Sequence, residues 1–178
     1  MYNPYNNNLD RNPANYQPLT PLTFIERAAS VFPMHTAIIH GNIQYSYAEF
    51  YDRSRKLASA LANQGIRRGD TVSVMLANTP AMLESHYGVP MCGAVLHSIN
   101  TRLDAATIAY QLDHCEAKVL IVDREYLAII QMVINLTQTT LLLIDHNDPE
   151  FLINEKLPGA IEYETFLAKG DENYKWLM

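Results

Sequence analysis

Two hydrophobic periods alternate along this chain. Leu22, Ile25, Ala29 and Phe32 fall near one face of a helix. Thr20 is placed to cap that helix, Pro21 suits its first position, and Pro33 stops it. Residues 37–40 and 43–45 then flank Gly41-Asn42. A two-residue loop that begins with glycine suits a type II′ hairpin turn, which needs a positive φ at its first central position. Ser46-Tyr47-Ala48-Glu49 reads as a capping box, with the Ser46 hydroxyl accepting the Glu49 N–H and the Glu49 carboxylate accepting the Ser46 N–H. Tyr45 and Phe50 occupy the positions of a hydrophobic staple. Tyr47, Phe50, Ser54, Leu57, Ala58 and Leu61 continue at helical spacing, and Gly65 is placed to end the helix.

From residue 71 the pattern becomes strand, helix, strand. Strands are expected over 71–76, 94–97, 118–122 and 141–144. Between them, Thr79-Pro80 opens a helix carrying Met82, Leu83, His86 and Tyr87, which Pro90 should kink or end. Asp104 caps a helix over 105–114 with Ile108, Leu112 and Cys115 inward. Asp123 caps a third, which buries Tyr126, Ile129, Ile130, Val133 and Ile134. Three of the strands are nearly unbroken apolar runs, as expected of strands covered on both faces. The expected fold is therefore α/β: an open, mostly parallel sheet with helices on both faces. Residues 145–160 read as a long loop and 162–169 as a short helix. The Asn- and Pro-rich residues 1–19 read as a flexible arm, and 20–178 as the domain.

Composition narrows the choices of partner. The net charge of -6 is scattered and forms no basic stripe, so nucleic acid is not an expected partner. No apolar run reaches the roughly 18 residues of a membrane span. The start of the chain lacks the pattern of a secretory signal, which together with the cysteine usage points to the cytoplasm. Cys92 and Cys115 both lie in apolar stretches and read as small buried hydrophobes, with no base indicated beside either.

Open α/β sheets bind ligands at the carboxyl ends of their strands. Asn78-Thr79, then Ser98, Asn100, Thr101 and Arg102, then Asp123-Arg124 occupy that edge. Each group also serves as a cap or turn residue, the role that every such fold requires of these positions. The seven glycines form neither G-x-G-x-x-G nor G-x-x-x-x-G-K-[ST]. Gly65 and Gly69 bracket a turn in which Arg67 and Arg68 are expected to be solvated. The six histidines are dispersed without metal-ligand spacing, and Ser98 lacks a G-x-S-x-G elbow. No catalytic, cofactor-binding or metal residue is assigned on the residues alone. The most particular stretch is 91–103, MCGAVLHSINTRL. It reads as a helix-to-strand turn that Gly93 and Ala94 allow to pack closely, followed by a polar turn whose Arg102 should tie down the domain edge.

Several ordered blocks carry a family resemblance: LTPLTFIERAASVFP, the long segment from IQYSYAEF through GVPMCGAVLHSINTRL, and EAKVLIVD. Over about residues 18–178 the chain resembles the N-terminal part of an acyl-CoA synthetase of the adenylate-forming, AMP-binding superfamily. It is most similar to the fatty or short-chain acyl-activating enzymes of bacteria and plants. The resemblance implies an acid–thiol ligase that uses ATP, Mg²⁺ and CoA to turn a carboxylic acid into an acyl-adenylate and then a thioester. It also implies a phosphate loop of the form [ST]-[ST]-G-[ST]-T-G-x-P-K, adenine and acyl pockets and a catalytic Lys, none of which has a matching position here. The expectation is a scaffold region, inactive by itself. The competing expectation is a non-catalytic module that associates with a full-length synthetase, or with itself, through an exposed sheet edge.

Overall fold

The computed structural model describes residues 10, 12 and 16–176. The expected arm over 1–19 lies largely outside those residues. The chain opens with helix α1 (Pro21–Val31), whose first turn is held by Thr20 Oγ1 accepting the Leu22 N–H. Phe32, expected on the inner face, lies past the helix end and stacks half-exposed on His35. Strands β1 (Thr36–His40) and β2 (Ile43–Ser46) form the hairpin. Gly41 alone at its turn has a positive φ, 54°, as a glycine in the first central position requires.

Helix α2 (Tyr47–Asn63) carries the expected capping box, with Ser46 N 2.8 Å from Glu49 Oε2 and Glu49 N 3.3 Å from Ser46 Oγ. Gly65 follows it at φ 83° and turns the chain towards β3 (Thr71–Met75). Helix α3 (Pro80–Met91) then runs one residue past Pro90. The missing N–H of a proline so near the helix end removes only one bond of the last turn. Thr79 caps α3 by position, but its hydroxyl accepts no bond from the first turn. Next come β4 (Val95–Ser98), α4 (Ala105–His114) and β5 (Ala117–Asp123). Asp104 caps α4 through Thr107 N, as expected. Asp123 caps a 3₁₀ turn, Arg124–Tyr126, which leads into α5 (Leu127–Leu136).

Strand β6 (Leu142–His146) is two residues longer at its end than the apolar run suggests, because polar Asp145 and His146 continue its pairing with β5. A short strand β7 (Ile161–Glu162) then pairs with β6, where a loop and a helix start were expected, and α6 (Tyr163–Leu167) follows it. The five strands run parallel in the order β4-β3-β5-β6-β7.

Side-chain alternation places a core on each face of the sheet. Val72, Val74, Val119, Ile121 and Ile144 pack with Leu57 and Leu61 of α2, Val89 of α3, and Tyr163 and Phe166 of α6. Met75, Leu120 and Val122 pack with Ile108 and Leu112 of α4, and Ile130 and Val133 of α5. A third cluster, built on Leu22, Ile25, Ile38, Phe50 and Met91, seats α1 and the hairpin. Helices α2 and α3 approach closely at Gly88, where an added Cβ would lie 2.8 Å from Leu57 Cβ. At Gly93, φ 82°, an added Cβ would lie 3.3 Å from Arg68 Cα, which is the close approach the sequence implied.

Removing the Ser46 hydroxyl leaves a first-turn N–H of α2 without its partner and takes one of two donors from Glu49 Oε2. Ser46→Ala is expected to lower unfolding stability by about 1 kcal/mol, read by thermal or urea denaturation.

Candidate functional site

The carboxyl edge of the sheet is where the three groups of polar residues come to lie, and the structure does not bring them into one constellation. Among the described residues no hydrogen bond links one group to another. Asn78 and Thr79, after β3, border a cavity of ≈ 670 Å³ between the hairpin and α3. Its other walls include Pro21, Ile38, Ile39, Met82, Leu83 and Tyr87, with His40 and His86 at hand. The residues that α3 was expected to carry thus line this groove. The helix buries the opposite face, Ala81, Glu84, Ser85, Gly88 and Val89.

The turn after β4 is used locally. Asn100 Oδ1 accepts the Arg102 N–H at 3.0 Å, and the Ile99 N–H reaches Val74 O at 2.9 Å. The Arg102 side chain makes no hydrogen bond or ion pair among the described residues, so it does not tie down the domain edge. The backbone of this turn does that instead.

Asp123 and Arg124 are committed to the fold. Arg124 Nε donates to Asp145 Oδ2 at 2.8 Å, with both side chains almost wholly buried. A second Arg124 nitrogen donates to Ile153 O, and Leu157 N approaches the same Asp145 oxygen. Asp123 Oδ1 accepts the Glu125 N–H, while Oδ2 lies 3.1 Å from His146 Nδ1. Such a pair is costly to bury, and it persists where its remaining hydrogen-bond groups are satisfied, as they are here. Farther out, Asn147 Oδ1 accepts Ile153 N, and Asp148 Oδ1 accepts Glu150 N. His40 Nε2 reaches Asp148 Oδ1 at 2.8 Å, and Asn42 N reaches Glu150 Oε1 at 3.2 Å. The chain 147–160 is thereby stapled over the sheet end and onto the hairpin.

A second polar cluster escaped the sequence reading. Glu84 lies fully buried on α3, with Arg53 Nε 2.5 Å away and the Tyr163 hydroxyl donating at 2.7 Å. Arg53 also donates to both oxygens of Glu164 and lies over the Tyr45 ring. Burial raises the Glu84 carboxyl above its ordinary value, with Arg53 working against that rise. Burial and then the Glu84 charge push the Tyr163 phenol well above its usual range. The signal was available in the sequence: a lone carboxylate on a helix face otherwise made of Ala81, Ser85 and Gly88.

Both cysteines are partly exposed rather than buried. Cys115 also has a base beside it, His97 Nδ1 at 3.6 Å. This neighbour was invisible along the chain, because parallel strand pairing brings it in.

What the edge can do chemically is therefore limited. Arg124 is spent on Asp145, the glycines form no phosphate loop, and Arg102 is an exposed cation left without a partner among the described residues. Among the described residues, no helix is long and apolar enough to cross a membrane.

Comparison with known proteins gives the context for such a scaffold. The profile of the family described as AMP-binding enzyme matches residues 25–166. The chain is 46% identical over 179 aligned residues to the peroxisomal acetate/butyrate–CoA ligase AAE7 of Arabidopsis thaliana, and 41% identical to the acetate–CoA ligase CCL3 of Humulus lupulus. Each alignment covers 94% of this chain and 32% of the relative, so the chain spans about a third of their length. Among solved structures, the anthranilate CoA ligase AuaEII with anthranoyl-AMP superposes at TM-score 0.80, with 20% identity, over 88% of this chain and 29% of that one. A benzoate CoA ligase from Burkholderia xenovorans LB400 superposes at 0.74, with 21% identity, over 87% and 29%. These two likenesses concern the fold.

The Asp148 tie has a pH dependence. Burial acts to raise this carboxyl, but the His40 imidazole and the Glu150 N–H outweigh it and hold it below its ordinary value. A carboxyl depressed in the folded state contributes stability that is present above the unfolded value, about pH 4, and is lost as pH falls through the folded value. Hydrogen exchange at the Glu150 amide, taken relative to its intrinsic rate at each pH, is expected to quicken on acidification through that window. Asp148→Asn is expected to make it fast already at neutral pH.

Proposed function

Because the chain belongs to the AMP-binding enzyme family, we propose that it is the first sheet region of an ATP-dependent acyl-CoA ligase. The ligase would activate a short-chain aliphatic acid as its adenylate and pass the acyl group to the CoA thiol. The similarity to acetate- and butyrate-CoA ligases supports that substrate class. The role of residues 20–178 in this reading is structural: they are the N-terminal part of the large domain and hold its sheet in place. ATP, Mg²⁺ and CoA would be held by parts of the family's fold outside this chain, where bound Mg²⁺ neutralises phosphate charge during attack by the carboxylate. One observation carries this division of labour: Arg124, the cation where β5 ends, is buried against Asp145. We keep a cytoplasmic placement within this proposal, while the AAE7 relative is designated peroxisomal.

A second reading rests on β4, which pairs with β3 alone and shows Val95 half-exposed. Such an edge is a template for another strand, either from a second copy or from a full-length synthetase.

Two experiments follow. A full-length version supplied with acetate or butyrate is expected to exchange pyrophosphate into ATP, and the present chain alone to show none. Acid-dependent exchange by the chain alone would sink the scaffold reading. For the edge, sedimentation at rising concentration is expected to show association that Val95→Lys weakens. A concentration-independent monomer would end that reading.

A further inference from the structure

A second chemical cluster lies on the opposite side of the molecule from the hairpin groove. Ser73 and His97 are register partners on β3 and β4, so their side chains leave the same face of the sheet. Met75, two residues after Ser73, identifies this as the face that packs against α4 and α5. Cys115, directly after α4, lies over the same spot. Ser73 Oγ is 2.9 Å from His97 Nδ1, and Cys115 Sγ is 3.6 Å from that same nitrogen. The two heteroatoms are 3.9 Å apart. Ser73 is fully buried, whereas His97 and Cys115 are partly exposed at the outer strand. A nucleophile, a base and a hydroxyl that shares the base's nitrogen are thus in contact at a place solvent can reach.

We infer that Cys115 is a histidine-assisted reactive thiol, a modification site that exchanges with low-molecular-weight disulfides, and that Cys92 is not. With the imidazole proton on Nε2, Nδ1 offers one lone pair, for which the Cys115 S–H and the Ser73 O–H compete. In the exchange, Nδ1 takes the thiol proton and Sγ attacks one sulfur of the disulfide. A new Sγ–S bond forms, the old S–S bond breaks, and the imidazolium returns its proton to the departing thiolate, or to water when that thiolate is a weakly basic aromatic one. The protein thiol is oxidised to a mixed disulfide, and the other half of the reagent is reduced to a thiol. The α4 terminus does not assist, because carbonyl ends disfavour an anion there. The imidazole must therefore draw the proton unaided. Burial alone holds His97 below its ordinary value, which keeps it a neutral acceptor near pH 7. Each thiol also has a carbonyl three residues back, Leu112 O at 3.6 Å for Cys115 and Val89 O at 3.1 Å for Cys92. Cys92 is the internal control because its S–H bonds to that carbonyl and to no imidazole among the described residues, and burial raises its thiol.

The test uses the full chain and the aromatic disulfide dithiobis(nitrobenzoate), with arylthiolate release followed optically. One fast phase is expected, lost in Cys115→Ser and kept in Cys92→Ser. His97→Gln is expected to slow it by about tenfold or more. Ser73→Ala, which removes the competitor for the lone pair, is expected to speed it. General loosening of the fold would speed both, so opposite signs separate base assistance from damage. His97→Asn is the second variant, so that a fold defect in one, seen as an early melt, leaves the other to decide. The inference is overturned by a fast phase that belongs to Cys92, or by one that neither His97 variant slows.

Discussion

The central strands β3 and β5 are buried on both faces, and the rest of the molecule answers to that constraint. A strand sealed from water above and below must pair every backbone group within the sheet. It must also send apolar side chains both ways, as Val72 and Val74 do on one side and Leu120 and Val122 on the other. The helices follow, because each face needs a cover. So do the crossovers, because parallel strands joined over a covered face need a helix-length connection. Most of the polar residues that the sheet carries are left to the strand ends, where Asp123, Asp145 and His146 gather, with Ser73 a buried exception.

That gathering explains why the carboxyl edge looks like an active site in sequence and behaves as a brace in space. Asp123, Arg124, Asp145 and His146 are the residue types a nucleotide site would choose. The structure uses them to anchor the chain 147–160 where β5 and β6 end. A buried charge without a partner costs several kcal/mol, so these groups serve one another first. The same logic governs Glu84, whose two oxygens are taken by Arg53 and Tyr163. These charged groups are thus spent within the fold, on holding the chain beyond β6 and on joining α2 to α3.

What could be read from the sequence follows the range of the forces involved. The capping box at Ser46 and the Asp104 cap rest on contacts three residues apart, and both were legible. The unbroken apolar runs announced two-sided burial, and with it the α/β class. Strand β7 was not legible, because two residues carry no period and its pairing partner is fixed by β6. Neither was the Ser73–His97–Cys115 contact, which depends on parallel register between residues 24 apart. Thr79 shows the limit of local rules: its position is a cap, yet its hydroxyl makes no capping bond.

The tie between the hairpin and the chain beyond β6 has a temporal side. His40 and Asn42 find Asp148 and Glu150 across 108 residues of chain. At ribosomal speed the hairpin emerges roughly 5–20 s before its partners exist. An isolated two-stranded hairpin is marginal in water, so during that interval it must lean on α1 and α2 or fray. The fastening of residues 40–42 therefore comes well after the hairpin's own synthesis, and a ribosome that stalls before residue 148 leaves a hairpin held only by its packing on α1 and α2.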